Sequence, residues 1–182
     1  MHNILFIIGS LRKNSFNRQL ATVISSELAG KATFSTLQFD DIPYMNQDIE
    51  WPTPEAIHRV RQDVAAADGV WIVTPEYNSN FPGLLKNLLD WLSRPTVQGS
   101  YKSAAMYGKK VTVSGAGGRN ATAGSRARLT ELLKVMRADV MPGEGVGIAV
   151  NPDAFKTDKV VFTDEQRRLL HNQAEAFLAF LQ

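Results

Sequence analysis

Ile4-Leu5-Phe6-Ile7-Ile8-Gly9-Ser10-Leu11-Arg12-Lys13-Asn14-Ser15-Phe16-Asn17 is the stretch that decides the fold. Its apolar opening stops at a glycine and a polar run, the pattern of a short buried strand. Ser15 then stands where a helix N-cap belongs, and the amphipathic pattern after it predicts a helix from Phe16 to about Ala29. A strand that feeds a polar turn and a helix N-terminus gathers backbone N–H groups and a positive dipole end at one point. Ser10 and Ser15 add hydroxyls, Asn17 an amide and Arg12 a planar cationic fork. That donor set suits a dianionic phosphate. Closure of a turn by the two serines, with Arg12 and Lys13 in solvent, is the plainer alternative.

The same alternation recurs along the chain. Strand-like runs fall at Asn3–Ile8, Thr33–Phe39, Gly69–Thr74, Lys110–Ser114 and Gly145–Val150. Helical patterns fall at Phe16–Ala29, Pro54–Ala67, Pro82–Leu92, Ser125–Ala138 and Asp164–Leu181. Val70-Trp71-Ile72-Val73 is apolar without alternation, as in a strand covered on both faces. The reading is an α/β fold: an open parallel sheet with helices on both sides, and a ligand crevice at the carboxyl ends of its strands. With 182 residues and no linker or repeat, residues 1–182 are expected to form one domain.

Two more strand-end loops stand out. Pro75-Glu76-Tyr77-Asn78-Ser79-Asn80-Phe81-Pro82-Gly83 is stiffened by two prolines, which hold the residues before them extended. Tyr77 and Asn78 at its tip suit a flat ring held edge-on. A polar turn capped by Asn80 would explain the prolines but not the density of polar groups. Ser114-Gly115-Ala116-Gly117-Gly118-Arg119-Asn120 is glycine-rich, which permits close backbone approach to a ligand. It is neither a P-loop nor a Gly-x-Gly-x-x-Gly fingerprint.

Composition excludes other chemistries. Apolar residues make up 44% and charged residues 21%, ordinary for a globular protein. A net charge of +2 gives no case for nucleic acid. Arg126, Arg128, Lys134 and Arg137 read as a solvated helix face. The absence of cysteine removes disulfides, thiolate nucleophiles and Cys-type zinc sites. His2, His58 and His171 lie at the terminus or within predicted helices, so neither a metal site nor a Ser-His-Asp hydrolase is expected, and no Gly-x-Ser-x-Gly elbow is present. No signal peptide or membrane span is read, so the expected location is the cytoplasm.

The first loop, and the run from Pro75 to Trp91 through Leu84-Leu85-Lys86-Asn87-Leu88-Leu89-Asp90, resemble the two signature segments of the NAD(P)H-dependent FMN reductase family, which includes flavodoxin-like quinone, chromate and azo-dye reductases. The resemblance implies a flavodoxin-like three-layer sandwich with a five-stranded parallel sheet in the order 2-1-3-4-5. It also implies FMN as cofactor and NADPH or NADH as co-substrate. Carried over by position, Ser10, Arg12, Ser15, Phe16 and Asn17 hold the phosphate. Pro75, Glu76, Tyr77 and Asn78 border the isoalloxazine ring, and Ser114, Gly115 and Gly118 flank its other side. Tyr77 and Asn78 are the candidate catalytic residues, as ring-positioning groups. The implied reaction is ping-pong: hydride passes from NAD(P)H through FMN to a small acceptor such as a quinone, flavin or azo compound. The alternative is a flavodoxin-like electron carrier with no dihydronicotinamide substrate; such carriers tend to be strongly acidic, and this chain is not. Arg94 and Arg119 are the two arginines that could meet a 2′-phosphate.

Assembly has its own signal. Leu84, Leu85, Leu88, Leu89, Trp91 and Leu92 span an arc of about 160° on one helix, wider than one-sided packing requires. The reading is that this helix packs on its symmetry mate, giving a homodimer or dimer of dimers. The irregular loop Asp40–Thr53 is expected to be a surface excursion that overlies a neighbouring subunit.

Overall fold

The computed structural model describes residues Met1–Gln182. Strand β1 (His2–Ile8) shows why the opening run lacks alternation. Ile4, Phe6 and Ile8 enter one apolar cluster, while Leu5 and Ile7 enter another on the opposite face. β3 (Gly69–Val73) divides in the same way, with Trp71 and Val73 on the first face and Val70 and Ile72 on the second. The period of two persists, but both faces are covered. Full burial of one such side chain stabilises the fold by about 1.5–3 kcal/mol.

β2 (Ala32–Thr36), β4 (Lys110–Gly117) and β5 (Asp139–Val140) complete a parallel order β2-β1-β3-β4-β5, as the resemblance implies. Helices α1 (Phe16–Glu27) and α6 (Asp164–Leu181) supply the cluster on one face; α2 (Glu55–Ala66), α3 (Gly83–Ser93) and α4 (Ala123–Val135) supply the other. Ser15 is the N-cap of α1, its Oγ accepting from Asn17 N–H at 3.2 Å. No helix is long and apolar enough to cross a membrane.

Three features differ from the sequence reading. The fifth strand is broken into β5 (Asp139–Val140), paired with Lys110 and Val111, and β6 (Val146–Ala149), paired with Ser114–Gly117. Pro142 brings no N–H to the interval. Gly145 turns back at φ +67, where a Cβ would lie 2.0 Å from Val113 O. Arg126 on α4 donates to the carbonyls of Glu144 and Gly145 across this break. It is therefore buried, with a pKa lowered by desolvation, and not part of a solvated face; Arg128, Lys134 and Arg137 are exposed.

The wide apolar arc of α3 is absorbed within one chain. Leu85, Leu88, Leu89, Trp91 and Leu92 are all buried without a partner subunit, and only Leu84 is half-exposed. The sheet covers one side of the arc. Loop Asp40–Thr53 covers the other, so it overlies its own chain: Pro43 O accepts from Trp91 Nε1 and from Asn87 Nδ2, each at 2.9 Å, and Met45 N–H donates to Asn87 Oδ1 at 2.7 Å. Arg94 closes the far end of the loop by a fork onto Glu50 at 2.8 and 2.9 Å, which raises the Arg94 pKa. The arc therefore gives no argument for a subunit interface.

Candidate functional site

The ends of β1, β3 and β4 converge as an open parallel sheet requires. They bound a cleft of about 260 Å³ whose walls include Ser10, Arg12, Ser15, Phe16, Asn17, Pro75, Glu76, Tyr77, Ala116, Gly117 and Gly118. At the β1 end the donors are arranged by local geometry alone. Ser10 Oγ accepts from Arg12 N–H at 3.3 Å, and Ser15 Oγ from Asn17 N–H. Each hydroxyl is thus used as an acceptor, leaving its O–H free to donate. The N–H groups of Asn14 and Phe16, at the α1 N-terminus, have no acceptor within the chain. Arg12 lies 4.7 Å over the Phe16 ring, a cation–π arrangement that aims it along the wall. These hydroxyls, N–H groups and guanidinium match the needs of a phosphate monoester.

Asn17 does something else with its amide. Nδ2 donates to Ala116 O at 3.0 Å, and Oδ1 accepts from Ala116 N–H at 2.9 Å. Both functions are spent on β4, fixing the first wall against the third.

The second wall is a rigid turn. Tyr77 and Asn80 exchange both backbone hydrogen bonds, at 2.9 and 3.0 Å, while Asn78 and Ser79 take φ of 53° and 58°. Positive φ at both central positions defines a type I′ turn, and Asn is among the few residues that tolerate it. Tyr77 is exposed and edges the cleft; Asn78, at the first central position of the turn, does not line it. The Glu76 carboxylate accepts from Ser125 N–H at 2.9 Å and from Asn120 Nδ2, serving as a cap for α4, whose own N-cap Thr122 makes no side-chain bond. Ser125 Oγ donates to Pro75 O at 2.9 Å. The second and third walls are thereby stitched together.

Residues 2–152 match the sequence pattern of a family described as NADPH-dependent FMN reductase. The chain belongs to that family. It is 41% identical over 114 residues to 2-hydroxy-1,4-benzoquinone reductase of a Burkholderia species, a match covering 62% of each chain. It is 31% identical over 175 residues to an NAD(P)H-dependent FMN reductase of Pseudomonas aeruginosa, covering 95% of this chain and 91% of that one. The matches to the Burkholderia protein and to a quinone reductase of Pseudomonas putida span only 62% and 59% of their lengths. Among solved structures, the flavoenzyme FerB from Paracoccus denitrificans, an NAD(P)H:(acceptor) oxidoreductase, superposes with a TM-score of 0.87 at 29% identity, covering 100% of this chain and 97% of that one. A short-chain flavodoxin superposes at 0.63 with 13% identity, which speaks to the fold only.

Against the family's expected flavin residues, the cleft gathers Ser10, Arg12, Ser15, Phe16, Asn17, Pro75, Glu76, Tyr77 and Gly118. Ser114 and Gly115 do not line it: β4 continues to Gly117, so both sit two to three residues short of the strand's end. Ser114 Oγ accepts from Trp71 Nε1 at 3.0 Å and donates to Gln173 Oε1 at 2.8 Å, in a buried network that ties α6 to the sheet. Gly115 faces the opposite way, where a Cβ would lie 2.1 Å from Thr122 Oγ1 and 2.4 Å from Thr74 O. Four lining residues stand outside the expected set: Ala116 and Gly117, between its members in the chain, and Phe155 and Asp158, far from them. Phe155 and Asp158, from the short helix α5 (Ala154–Thr157) and its end, close the fourth side. Phe155 meets Phe16 edge-on at 5.3 Å, and the Asp158 carboxylate accepts from Arg12 Nη1. Their one sequence signal is position: they follow the fifth strand, whose carboxyl end faces the same crevice.

Proposed function

We propose that the protein is an FMN-dependent NAD(P)H oxidoreductase that passes two electrons from NADPH or NADH to a small acceptor such as a quinone, flavin or azo compound. One observation carries this: the phosphate-type donor set after β1 opens into the same cleft as the stiff Pro75–Asn80 turn and the Ala116–Gly118 backbone, in a chain of the FMN reductase family. When bound, FMN supplies two-electron transfer between a dihydronicotinamide and an acceptor.

The chain's own residues have separable tasks in this reading. Ser10 and Ser15 donate their free O–H groups to the phosphate, Arg12 gives a charge-assisted contact, and the α1 N-terminus adds its unpaired N–H groups and dipole. Phe16 walls the phosphate end, and Asn17 holds β4 in place. Pro75, Glu76 and Tyr77 border the ring, with Asn78 setting the turn that presents Tyr77. Ala116, Gly117 and Gly118 form the other border, in place of Ser114 and Gly115. The N–H groups of Glu76 and Gly118 have no partner within the chain, so they can stabilise negative charge that develops on a bound ring. Arg94 is committed to Glu50, leaving Arg119 as the exposed arginine for a 2′-phosphate.

Cytoplasmic location and assembly as a homodimer or dimer of dimers belong to this reading, supported by the family resemblance. A monomeric mass by light scattering at micromolar concentration would remove the assembly.

The test of the reaction is anaerobic addition of NADPH or NADH to the FMN-loaded protein. Rapid bleaching of the flavin absorbance, restored by a quinone, is the expected result. Bound flavin that stays oxidised would point to the electron carrier instead.

A further inference from the structure

The phosphate end of the cleft already contains an anion of its own. The Asp158 carboxylate accepts from Arg12 Nη1 at the mouth, beside Ser10 and Ser15. The pair is about half-exposed, 45% on each side chain, so it is open to exchange. Asp158 is not held there by the ion pair alone. Gln19 on α1 donates from Nε2 to Asp158 O at 2.8 Å and accepts from Val160 N–H at 2.9 Å, fastening this turn to the same helix whose N-terminus forms the donor set. The backbone at 158 is left-handed, φ +58, a conformation that Asp and Asn tolerate. Residue 158 also lies outside the 2–152 span that matches the family pattern.

A dianionic phosphate and this carboxylate claim one guanidinium. Two anions in one small cleft repel, and the repulsion is stronger than in bulk water because Ser10, Ser15 and Phe16 are buried around them. An incoming phosphate therefore gains Arg12 only as Asp158 gives it up. Uncharged ligands of the same cleft meet no such exchange.

Resting on the flavin reading, we propose that Asp158 is a specificity-determining residue: a built-in competitor for Arg12 that weakens phosphate binding and narrows the margin between phosphorylated and unphosphorylated flavin. Its removal tightens the grip on FMN and leaves riboflavin untouched.

The experiment titrates FMN and riboflavin separately into flavin-free protein, wild type and Asp158→Asn, following quenching of flavin fluorescence. Asn keeps the size and backbone tolerance of Asp and discards the charge. The expected result is FMN affinity raised roughly five- to twentyfold with riboflavin affinity unchanged. Unchanged or weaker FMN binding by the variant overturns the proposal, and so does equal tightening of both flavins, which would mark a change of shape and not of charge. A parallel arm uses inorganic phosphate alone: replacing chloride by phosphate at constant ionic strength should raise the thermal midpoint of Asp158→Asn more than that of wild type. Equal shifts there overturn the proposal. Should neither flavin bind wild type, the flavin reading falls by itself and the phosphate arm still decides the role of Asp158.

Discussion

Gly9–Asn17 and Ser114–Gly118 look alike in sequence: each continues an apolar strand with glycine and serine, and each ends at the same edge of the sheet. They are built for different purposes. In the first, the strand stops at Ile8, and Ser10 and Ser15 take up backbone N–H groups within two residues of themselves, which leaves their own O–H groups facing the cleft. In the second, the strand continues through Ser114 and Gly115, so one is drawn to the α6 side and the other pressed against Thr122. Of that segment only Ala116, Gly117 and Gly118 line the cleft, the first two while still paired with β6. Ser10 and Ser15 lie beyond the end of their strand and line the cleft, whereas Ser114 and Gly115 lie short of the end of theirs and pack into the fold.

The sharpest way to break this contrast is at the two glycines. Gly115→Ala places a methyl 2.1 Å from Thr122 Oγ1 and 2.4 Å from a backbone carbonyl that cannot yield. A loss of about 3 kcal/mol in the urea unfolding free energy is expected. Gly118 has no atom within 4 Å of the corresponding position. Gly118→Ala should stay within about 0.5 kcal/mol of wild type while weakening flavin uptake. If Gly115→Ala is tolerated, the account of the third wall is wrong.

Ser114→Ala is a gentler probe of the same idea. It deprives the buried Trp71 Nε1 of its acceptor, while Gln173 Oε1 keeps Val146 N–H at 3.1 Å. Thermal and urea unfolding should report about 1–2 kcal/mol of lost stability, with FMN affinity unchanged. A selective loss of flavin binding at wild-type stability would return Ser114 to the cofactor site.

Much of this was legible in local chemistry. The Ser15 cap and the strand runs covered on both faces depend on neighbours in sequence. The exceptions depend on distant ones. β4 overruns Ser114 because residues 114–117 pair with Val146–Ala149, and this overrides the poor strand propensity of two glycines. Arg126 is buried because the broken fifth strand releases two carbonyls that need a donor. The α3 arc implied a partner only while the covering loop was unplaced. Asp158 reaches Arg12 from 146 residues away, and an acidic side chain is the last one that phosphate chemistry would nominate.

The claim beneath all of this is that the turn after β1 grips a phosphate. Calorimetric titration of FMN into flavin-free wild type and Arg12→Ala tests it most directly. A ten- to hundredfold loss of affinity, roughly one charge-assisted contact, is expected, with unfolding unchanged because Arg12 is exposed. Full FMN affinity in Arg12→Ala would contradict the account.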